Sequence, residues 1–153
     1  MGLDTKPGPD PQSDRNAIIH IGTHTVYIEE CVVHSRYAGD LSRDEMQAVL
    51  ELADQVLQRD GAVFTLNDVR GIRHITPDAR RYAADWMRHH RFDGAAIYGA
   101  NLPTRTLVTL LLRAINLLRS VPFESIFCAT EQEARAWIDA KRKKLRHGAS
   151  PLP

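Results

Sequence analysis

Marking the hydrophobic positions along the chain divides it into alternating strand and helix segments. In His24–Glu29 (HTVYIE), Val26 and Ile28 fall on one face and Thr25, Tyr27 and Glu29 on the other, the period of a half-buried strand. Cys31–Tyr37 (CVVHSRY) is a second strand, and the short join at Glu30 predicts a hairpin. Ala62–Val69, Gly94–Ala100 and Phe123–Ala129 are further strand segments, and Ala17–Ile21 adds a short one at the start. The small and apolar run GAAIYGA suits a strand covered on both faces.

Between these segments the apolar residues recur at helical spacing. Met46, Val49, Leu50, Ala53, Val56 and Leu57 form one stripe, opened by the capping pair Ser42 and Glu45 and closed by Gly61. Tyr82, Ala83, Trp86 and Met87 form a second, with Thr76 as its cap, Pro77 at the first position, and His89, His90 and Arg91 at its carbonyl end. A third helix is predicted from Leu102 or Pro103 to Arg119. Thr130 and Glu133 then open a fourth through Ala134, Trp137 and Ile138. An opening hairpin followed by strand–helix alternation predicts an α/β fold. Its mixed sheet has five or six strands, parallel where the helices cross over, with about four helices.

The 153 residues amount to one domain. Residues 1–16, with Pro7, Pro9 and Pro11 among polar neighbours, are expected to be a disordered leader; 17–146 form the domain and 147–153 a flexible tail. A net charge of +1 removes any bulk attraction to nucleic acid or acidic membranes. The longest apolar run, Leu107 to Leu118, contains Arg113 and Asn116 and is too short for stable membrane insertion. The N-terminal stretch has no apolar signal core, so a cytoplasmic location is expected. Cys31 and Cys128, far apart and each in an apolar run, are expected to be reduced core thiols.

Few residues are spaced for chemistry. Neither a dinucleotide nor a phosphate-loop glycine pattern is present, nor a nucleophile turn. His20 and His24 are four apart in a strand context, about 13 Å along the chain, which does not make a metal pair. His24 and His34 could face each other across the hairpin, but no third ligand joins them. No cofactor or metal is therefore expected. Asp68, near a strand end where ligand sites of α/β sheets lie, is followed by a polar segment with Arg70, Arg73 and His74. This segment is expected to be a loop: either solvated, or a binding surface, or, with Asp68, His74 and Arg70 gathered, a catalytic pocket.

Two features point to contacts instead. Leu102, Leu107, Val108, Leu110, Leu111, Leu112, Ile115, Leu117, Leu118 and Val121 leave the third helix apolar almost all round. One face covers the sheet; the rest needs a neighbouring helix, a partner (a second copy included) or a hydrophobic ligand. The run Lys141, Arg142, Lys143, Lys144, Arg146 suits a solvated helix end or an electrostatic docking patch.

The segment TLNDVRGIRHITPDARRY, from Thr65, resembles a STAS domain, the fold of bacterial anti-sigma-factor antagonists. Val69, Gly71, Ile72 and Ile75 match its strand and turn, and FCATEQEARAWI is similar to its closing strand and helix, over about residues 20–145. The resemblance implies a non-enzymatic module that binds a protein partner. It puts the family's phosphorylated serine near Asp78, where this chain has a carboxylate after Pro77, with Thr76 the nearby hydroxyl. The expected partner-binding residues are Arg70, Arg73, Thr76, Asp78 and Arg81, with Leu107 and Leu111 on the third helix. The alternative is a carrier or sensor of a small apolar or lipid-like ligand, because the fold class also resembles CRAL-TRIO-like lipid-binding domains.

Overall fold

The computed structural model describes residues 17–117, 119 and 123–148. The expected leader 1–16, the tail beyond Gly148, and Leu118 and Val121 lie outside them. The order is β1 (Ile19–Ile21), β2 (His24–Glu29), β3 (Val32–Leu41), α1 (Arg43–Asp60), β4 (Phe64–Ile75), α2 (Pro77–His89), β5 (Gly94–Tyr98), α3 (Leu102–Leu117), β6 (Ser125–Cys128) and α4 (Glu131–Gly148). Six strands lie in chain order across one sheet. β1, β2 and β3 are antiparallel neighbours, and β3 to β6 pair in parallel.

The chain marches across the sheet in one direction, so crossovers of one hand put α1, α2 and α3 on the same face. Their apolar stripes meet Val26, Val33, Val69 and Ile97 in the larger core. Strand residues one position along point the other way. Val32, Phe64, Leu66, Ala96 and Tyr98 pack under Ala134 and Ile138 of α4, which returns over the opposite face. Apolar residues on both sides of β4 and β5 follow from this double cover.

Local signals set the helix starts. Ser42 accepts from the Glu45 N–H at 3.3 Å, and Glu45 Oε2 accepts from the Ser42 N–H at 2.9 Å, a complete capping box. Gly61 ends α1 at φ 75°, its N–H bonded to the Leu57 carbonyl. Thr76 Oγ1 accepts from the Ala79 N–H at 3.2 Å, with Pro77 in the first turn of α2. At α4 the second pair closes differently: Thr130 Oγ1 accepts from the Glu133 N–H, while Glu133 reaches back to the Ala129 N–H instead of Thr130's.

The expected polar loop is not a loop. β4 continues from Val69 to Ile75 and pairs with a β3 that runs on to Leu41. Between the pairs Arg36↔Asp68 and Ala38↔Gly71, β3 advances two residues and β4 three. Between Gly39↔Ile72 and Asp40↔His74 it advances one against two. Two extra residues thus bulge out of β4, and its core-facing side chains Val69, Ile72 and Ile75 come three apart instead of two. Gly71 lies tight against β3: a Cβ there would stand 2.8 Å from the Tyr37 carbonyl oxygen, a backbone atom with little room to yield. Gly71→Ala is expected to cost about 2 kcal/mol, read as a lower urea midpoint at unchanged slope.

Candidate functional site

The bulged end of β4 and the first turn of α2 carry most of the expected docking residues on one rigid segment. Arg73, Asp78 and Arg81 hold their side chains 79%, 70% and 80% exposed. Arg73 reaches Asp40 at 3.6 Å, and Arg81 donates to Asp78 at 3.1 Å. Thr76 is half-buried and spends its hydroxyl on the cap. Arg70 departs from this group and turns to the α4 face. There its Nε and Nη2 donate to Asp68 at 3.0 and 2.7 Å, and its guanidinium lies 5.8 Å from the Tyr98 ring centre.

Asp68 is buried and collects four hydrogen bonds, three from Arg70 and one from Arg36 Nε at 3.2 Å. Burial by itself would raise its carboxyl, but the bonds from Arg70, with the charge of Arg36, hold it below the ordinary range. A carboxylate so saturated fixes two guanidinium groups in place. His74, the third member of the catalytic set considered above, is exposed and six residues further along β4, roughly 20 Å of extended chain. The trio does not assemble.

The two hairpin histidines also part company. Tyr27, not His24, stands opposite His34, and residues 24 and 27 differ by an odd number, so His24 faces the α1 side and His34 the α4 side. His24 is fully buried. Its Nδ1 accepts from the Ala38 N–H at 3.0 Å, which puts the ring proton on Nε2, shared between Glu45 Oε2 at 3.0 Å and the Asp40 carbonyl at 3.2 Å. Glu45 thereby joins the α1 cap to the β1–β2 turn. Burial opposes its ionisation, but the Ser42 N–H and His24 outweigh that and draw the carboxyl below its usual value.

His34 is buried against the Tyr27 ring, the two stacked with centres 4.3 Å apart. Burial first, and the Arg135 charge second, lower its pKa from 6.5 to about 4. Between those values the unfolded chain binds a proton that the folded chain refuses, so stability rises with pH in this window. The full contribution is present above pH 6.5 and is lost as pH falls toward 4. That loss is at most about 3 kcal/mol, and less to the extent that solvent screens the lowering charge of the half-exposed Arg135. Urea titrations from pH 7.5 to 4 are expected to show this slope, and His34→Phe to flatten it.

α3 is divided more finely than its sequence foretells. Thr104, Val108 and Ile115 are buried, and Leu107, Leu111 and Leu112 are half-buried against the core. Leu107 and Leu111 therefore hold the helix down. The outward apolar side chains among the described residues of α3 are Leu102, Leu110 and Leu117. In the basic run, Lys141 pairs with Glu124 and Arg142 with Glu30. Cys31 and Cys128 are free and half-buried, and burial raises both thiols. Among the described residues, no three metal-ligating side chains converge and no helix is long and apolar enough to cross a membrane.

Arg36 and Tyr98 were not singled out by sequence, and Tyr27 and His34 only as hairpin residues, yet all four line one recess with Asp68 on the α4 face. The available signal was His34 and Arg36 two apart in a strand, hence on one face.

A six-stranded mixed sheet with three crossover helices on one face and a closing helix on the other defines the class. The SpoIIAA-like family profile matches residues 32–139, and the chain belongs to that family. Among solved structures, it is similar to an uncharacterised protein with a SpoIIAA-like fold from Shewanella loihica PV-4. That likeness has a TM-score of 0.52 and 18% identity, over 79% of this chain and 89% of that one. It also matches the anti-sigma factor antagonist SpoIIAA in its unphosphorylated form, with a TM-score of 0.48 and 14% identity, over 76% of this chain and 98% of that one. No curated protein matches the chain.

Proposed function

We propose that this protein is a non-catalytic docking module of bacterial signalling or regulation, acting in the cytoplasm on a protein partner. The observation that carries the reading is the junction of β4 and α2. Arg73, Asp78 and Arg81 are strongly exposed there, yet seated on a capped helix start and on a bulged strand end paired with β3. Charges held in fixed positions select partners by complementarity and rate of encounter. The family resemblance puts the regulatory serine's place near Asp78, a side chain whose charge would be built in where a phosphoserine's is switched. Docking is then constitutive. The outward leucines Leu102, Leu110 and Leu117 are exposed apolar side chains that would also allow self-association.

Carriage of an apolar ligand is the second reading, and it has one supporting feature. An apolar cavity of about 120 Å³ lies between the sheet and α1–α3, lined in part by Val108, Leu111 and Leu112. Small-molecule sites are usually about 300 Å³ or larger, so a lipid would require the helices to move apart, and docking is the better-supported role. Affinity purification from the source organism, with wild type and Asp78→Lys in parallel, tests it. The charge reversal is expected to lower recovery of a wild-type partner about tenfold. Equal recovery would remove the start of α2 from the reading. An added mass on the freshly purified protein in native mass spectrometry would favour the carrier.

A further inference from the structure

The cavity between the sheet and α1–α3, too small for a lipid, has polar groups in its wall. Thr65 and Asn67 of β4 alternate with Leu66, so they point to the helix side of the sheet, and both line the cavity. β4 is a central strand, and an amide placed under covering helices needs hydrogen-bond partners for its oxygen as well as its nitrogen.

The Asn67 amide is held through its nitrogen. Nδ2 donates to Thr65 Oγ1 at 2.9 Å and to the Ala96 carbonyl at 3.2 Å. A backbone carbonyl only accepts, so this partner identifies the nitrogen and leaves Oδ1 as the other atom. Oδ1 has no hydrogen-bond partner among the described residues. It is also not one of the unpartnered atoms sealed from water, which among the described residues are His34 Nδ1, Ser35 Oγ and Arg80 Nε. Oδ1 is thus an open acceptor. Apart from Asn67, Leu111 and Leu112, the residues lining the cavity are all buried. The approach to the amide therefore runs past these two half-buried leucines of α3.

The lining also limits what can enter. It contains no charged residue, so an ion would lose its hydration with nothing to replace it. Tyr37, Thr65 and Asn67 are the only polar side chains in it, and the rest of the wall is apolar. A water on Oδ1 would turn its other side to hydrocarbon, whereas a molecule with an apolar body and one donor suits both surfaces. The volume is about 120 Å³. An apolar cavity of about 150 Å³ accepts benzene, so a single ring fits with a small outward movement of Leu111 and Leu112.

We propose that this cavity binds a small neutral molecule, a single ring or short chain of about seven heavy atoms, that donates one hydroxyl hydrogen to Asn67 Oδ1. Its apolar body lies against Val69, Val108 and Ile115. The site is inside the core, away from the β4–α2 junction, and stands independently of docking.

The test is a titration of the intact protein with phenol, followed by methyl NMR. Saturable shifts are expected at Val69, Val108, Leu111 and Ile115, with half-saturation in the millimolar range or tighter. Toluene matches phenol in size and lacks the donor; benzoate has the ring with a charge and is expected to shift none of these methyls. Asn67→Leu keeps the size of the side chain and removes the acceptor. It is expected to weaken phenol at least about tenfold and to leave toluene within about twofold. Leu111→Phe fills the cavity from its half-buried wall and is expected to abolish the shifts from both. That variant and benzoate test the cavity without touching the amide. The proposal is overturned if phenol gives no saturable shifts, if they lie elsewhere or persist in Leu111→Phe, or if benzoate binds as well. It is equally overturned if Asn67→Leu leaves phenol unchanged or weakens phenol and toluene by the same factor, because the amide would then shape the cavity without meeting the ligand.

Discussion

His24→Leu is expected to destabilise the fold by about 3 kcal/mol, one of the two largest effects of any single change considered. The ring is fully buried and serves three partners: it accepts from the Ala38 N–H and donates to Glu45 and to the Asp40 carbonyl. Leucine fills similar space but leaves a buried backbone donor without an acceptor and withdraws a donor from Glu45, each worth about 1–3 kcal/mol. The loss spreads because Glu45 also closes the α1 cap and lies under Gly22 of the β1–β2 turn. Urea denaturation should show the midpoint falling by roughly 1–2 M. A double-mutant cycle with Glu45→Ala should show coupling, the second change costing less once the first is made. A loss below about 1 kcal/mol, or strict additivity, would mean that the three bonds do not act together.

Phe64→Ala is expected to cost about 4 kcal/mol and to act on one face of the sheet. Phe64 is 1% exposed at the start of β4, packed over Gly94, where Trp137 also closes in. A Cβ on Gly94 would meet both rings at 3.1–3.2 Å, so the glycine is what lets them sit against β5. Among the described residues the smaller core has seven buried members, Phe64 and Ile138 among the largest, and it is the apolar packing beneath α4. Removing the ring should therefore loosen α4 before α1, α2 and α3, whose core lies on the other side of the sheet. Hydrogen exchange reads this directly: amides of α4 should lose protection first. A uniform loss over all four helices would contradict the independence of the two cores.

Much of the architecture is visible in the chain. β2 occupies the six residues that alternate, and α1 and α2 begin where their capping residues say, because a cap is a contact between neighbours in sequence. β4 escaped beyond Val69 for the opposite reason. Its two bulges exist only because β3 lies alongside, and each inserts a residue that breaks the two-residue period by which strands are recognised. The outward face of α3 was misplaced in the same way. An all-round apolar helix does not disclose which side meets the sheet, and packing chose Leu107 and Leu111 for the core and Leu102, Leu110 and Leu117 for the surface.

The sequence by itself determined the α/β alternation, the helix starts, the hairpin and the membership in a fold family, all of which rest on contacts a few residues long. Only the tertiary structure decided that His24 and His34 face opposite ways, and that Arg36, Asp68 and Arg70 share one cluster with His34 and Tyr98 beside it. Strand register joins residues more than thirty positions apart, and no local pattern encodes it.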